Sequence, residues 1–322
     1  MLFPTTPCYS LSNAMNIIIT GAGGFIGKNL LLDLSRDHRI LALDRSGGLE
    51  EFIRGRGLEN AAAATVELND LPALGKLAGE RGGEWDAVIY LAGNGDPAYS
   101  VTHPEADLAD TVFGLLNFCR YFWAGKFIYF SSGAVYDGIS GPVSPRSALD
   151  PRLPYAISKL ADEGYVKFFK KNGRIGNYII LRFFGAYGPF EPPRKIYTRL
   201  VKAFALEKNP EFTIRGDGKN LIDAMYVGDA VRAVRAVLKS GVEDRVVDFC
   251  LGEPYAIEEL VREAARIFGI EPRIRLEGEV PEYIDFRPSP REMEELFGFT
   301  PRVPLSEGLP LLARHLSGSR TG

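Results

Sequence analysis

The sequence predicts an α/β fold, a doubly wound parallel sheet joined to a smaller C-terminal α/β lobe. Three observations predict it. Ile17-Ile-Ile-Thr20 is a short apolar, β-branched run that leads into a glycine-rich turn, Thr20-Gly-Ala-Gly-Gly-Phe-Ile-Gly27, and the residues from Phe25 to Leu34 then read at helical period. Similar apolar runs recur at Ile40–Leu43, Trp85–Gly93, Lys126–Ser132 and Ile179–Phe184, so strands and helices alternate from about residue 15 to 182. After Arg182 the texture changes, because Gly185, Gly188, Pro189, Pro192 and Pro193 interrupt regular structure.

These features divide the chain. Residues 1–14 are rich in Pro, Ser and Thr and read as a flexible arm, with Met15 as the expected natural start. Residues 15–182 and about 221–252 form the expected first domain; within it, Asp223–Leu238 reads as a strand-like entry into a helix and Val246–Cys250 as a further strand. Residues of about 183–220 and 253–322 form the expected second, substrate-binding region. With 322 residues and 46% hydrophobic content the chain exceeds one typical domain and can bury a sizeable core. A net charge of −3 gives no support for binding nucleic acid or an anionic membrane. No apolar run approaches a bilayer span, and the first fourteen residues lack the basic start of a signal peptide. Cys8, Cys119 and Cys250 are isolated, and the three histidines are scattered, so no metal site is expected and a reducing cytoplasm fits best.

A strand, a glycine turn and a helix in that order form a credible dinucleotide site. Gly21 permits the tight turn, Gly24 lets the backbone approach a pyrophosphate, and Gly27 allows close helix–strand packing, while the amides of the helix start face the phosphates. The glycines stand three apart, unlike the two-then-three spacing of the commonest fingerprint, and a purely structural turn is the alternative. Asp44 follows the apolar run Ile40–Leu43, 23 residues after Gly21. A carboxylate there can accept hydrogen bonds from both ribose hydroxyls and repels a 2′-phosphate, which favours NAD over NADP. The guanidinium of Arg45 beside it could offset that repulsion.

Tyr155-Ala-Ile-Ser-Lys159 places a phenol and an ammonium four residues apart. On a helix opening at Pro154 the two share one face. A nearby cation favours the phenolate, so the pair forms an acid–base device whose chemistry makes sense beside a cofactor.

Taken together, these segments resemble the extended short-chain dehydrogenase/reductase superfamily, in particular its NAD-dependent nucleotide-sugar epimerase/dehydratase group. The likeness runs from about Met15 to about Arg314 with the motifs in order. It implies a Rossmann-type first domain. By this resemblance Ser132, in the Ser-x-x-Val-Tyr136 segment, is catalytic, Tyr155 is the acid–base tyrosine, and Lys159 holds the nicotinamide ribose and keeps the tyrosine ionised. It further implies that Phe25 and Ile26 of the glycine turn border the cofactor, that Glu67-Leu68 contacts adenine, that Leu91-Ala92-Gly93 lies along the cofactor, and that Phe184 packs near the nicotinamide.

The same resemblance bears on the reaction. Dehydratases of the group carry an Asp-Glu pair where this chain has Gly133 and Ala134, and members that invert neighbouring carbons use a cysteine that is absent here. That argues for redox at a single carbon, unless His103, Tyr187 or Glu191 supplies a second proton donor. Gly185 stands where an Asn usually contacts the sugar nucleotide, Ile222 stands where an Arg usually anchors the diphosphate, and Arg275 only loosely matches a second anchor. Ser132, Gly133, Gly185, Lys195, Arg199, Arg215 and Lys219 are the remaining candidates for holding substrate. The expectation is an NAD-dependent epimerase acting at C4 of a nucleoside-diphosphate sugar. A ketoreductase or dehydrogenase on a modified sugar, and a non-catalytic NAD sensor, are the other readings. The resemblance also implies a homodimer formed through two helices, expected over 104–123 and 154–171.

Overall fold

The computed structural model describes residues 14–279 and 284–318; residues 1–13 of the expected arm (1–14), Cys8 among them, lie outside the described residues. Seven strands form the main sheet: β1 (Asn16–Thr20), β2 (Arg39–Asp44), β3 (Ala61–Thr65), β4 (Glu84–Tyr90), β5 (Trp123–Ser132), β6 (Ile175–Phe183) and β7 (Arg245–Phe249). Their spatial order is β3-β2-β1-β4-β5-β6-β7, and every neighbouring pair is parallel. The order reverses between β1 and β4, and in open sheets of this kind that switch point leaves a crevice beyond the carboxyl ends of the strands. Thr20 pairs in register with Leu43 on one side and Tyr90 on the other, which brings three strand ends to that crevice.

Consecutive strand residues face opposite sides of the sheet, so a fully apolar strand must be covered on both. Ile17 and Ile19 pack with Leu30 and Leu34 of helix α1 (Phe25–Leu34) and with Val234 and Val237 of a helix near the end of the first domain. Ile18, on the other face, packs with Val88, Phe118 and Phe127. The helix that carries Tyr155 and Lys159, α2 (Pro154–Lys171), lies against β5 and β6. Pro154 opens it at a position where the missing backbone N–H is no loss.

A separate apolar cluster gathers Tyr187, Tyr197, Leu200, Phe204 and Phe212 with Leu260, Leu309 and Leu312. Short strand pairs frame it, Glu211–Arg215 with Arg273–Glu277 and Leu221–Ile222 with Tyr255–Ala256. Residues 291–299 depart from the expected division of the chain. Their helix (Arg291–Phe297) packs on β7, and Met293 and Phe299 are buried in the core of the main sheet, where they cover the apolar residues of β7.

Candidate active site

A cavity of about 680 Å³ opens at the carboxyl ends of the strands, within the size range of small-molecule sites. Gly21, Gly24, Phe25, Ile26 and Gly27 line it, as do Asp44, Arg45, Glu67, Leu68, Leu91, Ala92 and Gly93. Ser132, Tyr155, Lys159, Phe184, Gly185 and Lys195 line the same space.

The glycine turn leaves room for backbone rather than side chains. Gly21 has φ +66°, a conformation that favours glycine, and a Cβ added to it would press on Leu91 and Ala92 at 3.1–3.3 Å. A Cβ on Gly27 would overlap the carbonyl oxygen of Gly21 and the backbone of Ala22, so α1 can approach β1 closely only because that position is glycine. Thr20, fully buried, completes the turn: its Oγ1 accepts the N–H groups of Leu91 and Ala92, both at 3.1 Å. The sequence reading missed Thr20, although a polar residue ending a run of isoleucines was a usable signal.

Asp44 stands at the end of β2 with its carboxylate accepting the Gly23 N–H at 2.8 Å and both the N–H (2.9 Å) and Oγ–H (2.6 Å) of Ser46. A carboxylate has about four acceptor positions, so these donors do not exhaust it. Arg45 is turned to other partners, Asp110 at 2.8 Å and Glu67 at 3.9 Å. Its charge is therefore already balanced, and the repulsion that Asp44 exerts on a 2′-phosphate stands. The turn without side chains, the exposed start of α1 and the carboxylate at the β2 end fit NAD, with Gly21–Gly27 at the pyrophosphate and Asp44 at the ribose.

The catalytic candidates converge from β5 and α2. Ser132 ends β5, and its Oγ accepts the Ala134 N–H at 3.1 Å, which leaves its own proton free to donate. Tyr155 and Lys159 share one face of α2, with Lys159 Nζ 6.0 Å from the Tyr155 ring centroid. Nζ also lies 5.2 Å from the Tyr129 ring centroid and donates to the Phe130 carbonyl at 3.2 Å, using one of its three protons.

Beneath these residues lies a buried polar layer. The Tyr155 N–H donates to Ser100 Oγ at 3.0 Å, and Ser158 donates to Asp107 at 2.6 Å; Asp107 also accepts from Asn94 of the loop after β4 at 2.8 Å. Tyr129 donates to Asp162 at 2.7 Å, and burial pushes the Asp162 carboxyl up to about 7. Glu163 accepts a two-pronged grip from Arg182 at 2.8 and 2.9 Å and a third bond from Ser131 at 2.7 Å. Arg182 also donates to the Tyr136 hydroxyl at 3.0 Å, and Tyr136 donates to Asp248 at 2.6 Å, whose carboxyl burial raises to about 7. None of these partnerships was read from the sequence; Arg182, a charge inside an apolar strand, was the signal available.

Several expected substrate contacts are placed elsewhere. Gly133 does not line the cavity: it is buried against the Phe184 ring, where a Cβ would come within 2.7 Å. Arg199 donates to the Thr213 carbonyl and covers the Phe212 ring, and Arg215 ends a strand of the second apolar cluster; neither lines the cavity. Lys219 pairs with Asp217 and Arg275 with Glu211, also away from it. Gly185 has φ +150°, and a Cβ there would meet the Asp223 carbonyl at 3.2 Å, so its backbone disfavours the Asn of the resemblance. Of the three residues considered as a second proton donor, His103 stacks on Tyr99 at 4.4 Å outside the cavity and Tyr187 is buried against Tyr197, whereas Glu191 lines it.

Comparison with known proteins agrees with this geometry. The model of the NAD dependent epimerase/dehydratase family matches residues 17–250. A Bacillus subtilis protein described as an uncharacterized UDP-glucose epimerase is 31% identical over 263 residues, 77% of this chain and 76% of the relative. A putative UDP-glucose 4-epimerase of Methanocaldococcus jannaschii is 27% identical over 311 residues, 91% of this chain and 95% of the relative. Among solved structures, UDP-glucuronic acid 4-epimerase from Bacillus cereus in complex with UDP-glucuronic acid and NAD superposes with a TM-score of 0.83 at 26% identity, over 95% of this chain and 100% of the other.

Replacing Asp44 by Ala should weaken NAD binding by roughly tenfold or more, the scale of a lost hydrogen bond to a charged group, while NADP binding changes little. Titration of both cofactors measures this, and unchanged selectivity would mean that the ribose is gripped elsewhere.

Proposed function

The chain belongs to the NAD-dependent epimerase/dehydratase family, and from that premise we propose that it epimerises C4 of a nucleoside-diphosphate sugar through a transient 4-keto sugar. The observation that carries this reading is the convergence of Ser132, Tyr155 and Lys159 on one cavity with the glycine turn and Asp44. The relatives described as UDP-glucose epimerases support the nucleotide sugar as substrate.

NAD, which Gly21, Gly24, Gly27 and Asp44 would hold, would supply a hydride acceptor for the sugar carbon and, in its reduced form, a hydride donor. The phenolic oxygen of Tyr155 takes the proton of the hydroxyl on that carbon, with the ammonium of Lys159 6.0 Å from the centre of its ring. Ser132 keeps its proton and donates a hydrogen bond to the same oxygen, which holds it in place. When the keto sugar presents its other face, the same residues return the proton and the configuration is inverted. A dehydration would need an added acid beside Ser132. Gly133 and Ala134 supply none, and the Phe184 ring leaves no room for a carboxylate at Gly133. Arg194 and Lys195 both line this part of the cavity; Arg194 pairs with Asp96 at 3.2 Å, which leaves Lys195 the more available of the two to meet the diphosphate, and the region of about residues 183–220 and 253–322 is assigned to the substrate.

Two further parts of the reading rest on the surface and the thiols. Phe113 beside α2, and Ile157 and Phe168 on it, are each about half exposed, at 51%, 50% and 54%, and Leu108 and Tyr165 widen the same apolar region. Such a surface supports a homodimer through these helices. Cys119 and Cys250 are buried free thiols, which supports a reducing compartment, the cytoplasm. Among the described residues no helix is long and apolar enough to cross a membrane.

Protein denatured after purification should release NAD, and the intact protein should convert UDP-glucose, UDP-N-acetylglucosamine or UDP-glucuronic acid to its C4 epimer, read by chromatography. Tyr155→Phe should keep its NAD and lose roughly 100- to 10,000-fold in turnover. Full activity in that variant would remove the acid–base role, and stoichiometric reduction of added NAD without an epimer would favour a dehydrogenase. Light scattering should give a dimer that Phe113→Asp combined with Phe168→Asp converts to a monomer; a monomeric parent chain contradicts the proposed assembly.

A further inference from the structure

Phe190 and Glu191, just after the segment that leaves β6, form a feature that the reaction above does not use. Phe190 has φ +69°, a backbone conformation that a bulky residue adopts only when its surroundings impose it. The surroundings are specific. Its ring meets Phe52 edge-on at 5.6 Å and His315 at 4.9 Å, and the cationic heads of Lys28 and Arg56 lie 5.7 and 5.8 Å from its centroid. Asn29 of α1 also donates to the carbonyl of Pro189 at 2.9 Å. The start of this loop is thereby fixed between α1, the helix Leu49–Gly55 and the C-terminal helix Leu305–Gly318.

That fixing directs Glu191 inward. The residue is only 7% exposed, yet it lines the cavity. Its Oε2 accepts both the N–H of Thr198 at 2.8 Å and the Thr198 hydroxyl at 2.6 Å, which locks the carboxyl plane. Its other oxygen has no hydrogen-bond partner among the described residues. Burial raises the carboxyl to about 7 against the two Thr198 hydrogen bonds and, more weakly, Lys195, so removal from water is the largest effect at this position. A desolvated, immobilised carboxyl with a vacant acceptor on a cavity wall lacks a donor, and ring hydroxyls are the donors that a sugar brings.

We propose that Glu191 is a substrate-contacting residue whose free carboxyl oxygen accepts a hydrogen bond from a ring hydroxyl of the sugar. The assignment rests on the reading of the cavity as a nucleotide-sugar site. It makes the residue a discriminator for hydroxylated hexoses, since a ring lacking that hydroxyl leaves the buried carboxyl unpaired. Phe190 and Thr198 are positioning residues that act through it.

The test is calorimetric titration of the NAD-loaded protein with UDP-glucose and, separately, with UDP, which lacks the ring. Glu191→Ala should weaken UDP-glucose binding by roughly 10- to 100-fold and leave UDP binding within about twofold, with NAD content and melting temperature near those of the parent. Glu191→Gln, nearly the same shape, serves if the alanine variant fails to fold, and should show the same selective loss in smaller degree. Equal weakening toward both ligands, or no weakening, overturns the assignment, as does a parent protein that binds UDP-glucose no more tightly than UDP. A parent that binds UDP-glucose selectively but forms no epimer sinks the proposed reaction alone, and the comparison between ligands still decides the role of Glu191.

Discussion

The geometry of the site depends on one constraint, the polar contacts that attach α2 to the sheet beside the apolar ones of Ala156 and Val166. Tyr155 sits in the first turn of that helix, where intrahelical bonds are incomplete and fraying is easiest. Ser100 captures its backbone N–H, and below it Ser158, Lys159, Asp162 and Glu163 meet Asp107, the Phe130 carbonyl, Tyr129 and Arg182. Positions 155, 158–159 and 162–163 recur at the helical period, so they form a single stripe that is buried from Ser158 onward. An apolar stripe could slide or rotate at little cost. A stripe of paired charges and short hydrogen bonds has one register, because any shift leaves a buried carboxylate or guanidinium without its partner. The arrangement carries a desolvation cost, visible in the raised carboxyls of Asp162 and Asp248. What it secures is the position of a phenol and an ammonium relative to the glycine turn.

The cavity above that stripe is shaped from both sides by what glycine permits. Gly27 and Gly21 let a helix start approach β1, and Gly133 lets the Phe184 ring lie directly against the segment after Ser132. The first contact makes room for a pyrophosphate. The second leaves no space for a side chain at position 133, and the proposal of redox at one carbon draws on that closure. On the sugar side, Gly185 and Ile222 carry no grip of the usual kind. Glu191 and Lys195, both from the loop that Phe190 fixes, supply a carboxyl and an ammonium on that wall instead.

The fold was legible where local pattern and tertiary role coincide. The isoleucine run of β1, the glycine turn and the spacing of Tyr155 and Lys159 each state their structure without reference to distant residues. β3 was not legible, because Ala61–Ala64 has weak strand preference and forms by pairing at the sheet edge with β2. The cover that residues 291–299 give to β7 was hidden for the same reason, since it depends on which apolar surface is left bare after the rest has folded. At the site, residues that act through their own backbone or side chain could be named in advance. Those that act through a partner, such as Thr20, Asp107 or Glu163, could not, because sequence separation conceals the pairing. The cationic candidates Arg199 and Arg215 illustrate the converse: charge alone does not say which way a side chain faces.

The central claim is that one acid–base face serves redox at a single sugar carbon, and isotopic labelling reads it most directly. A UDP-hexose carrying deuterium at C4, taken to equilibrium by the NAD-loaded protein in ordinary water, should give an epimer that retains the deuterium at C4, with no solvent hydrogen entering C3 or C5 when the experiment is repeated in heavy water. Loss of the C4 label to solvent, or incorporation at a neighbouring carbon, would contradict the account.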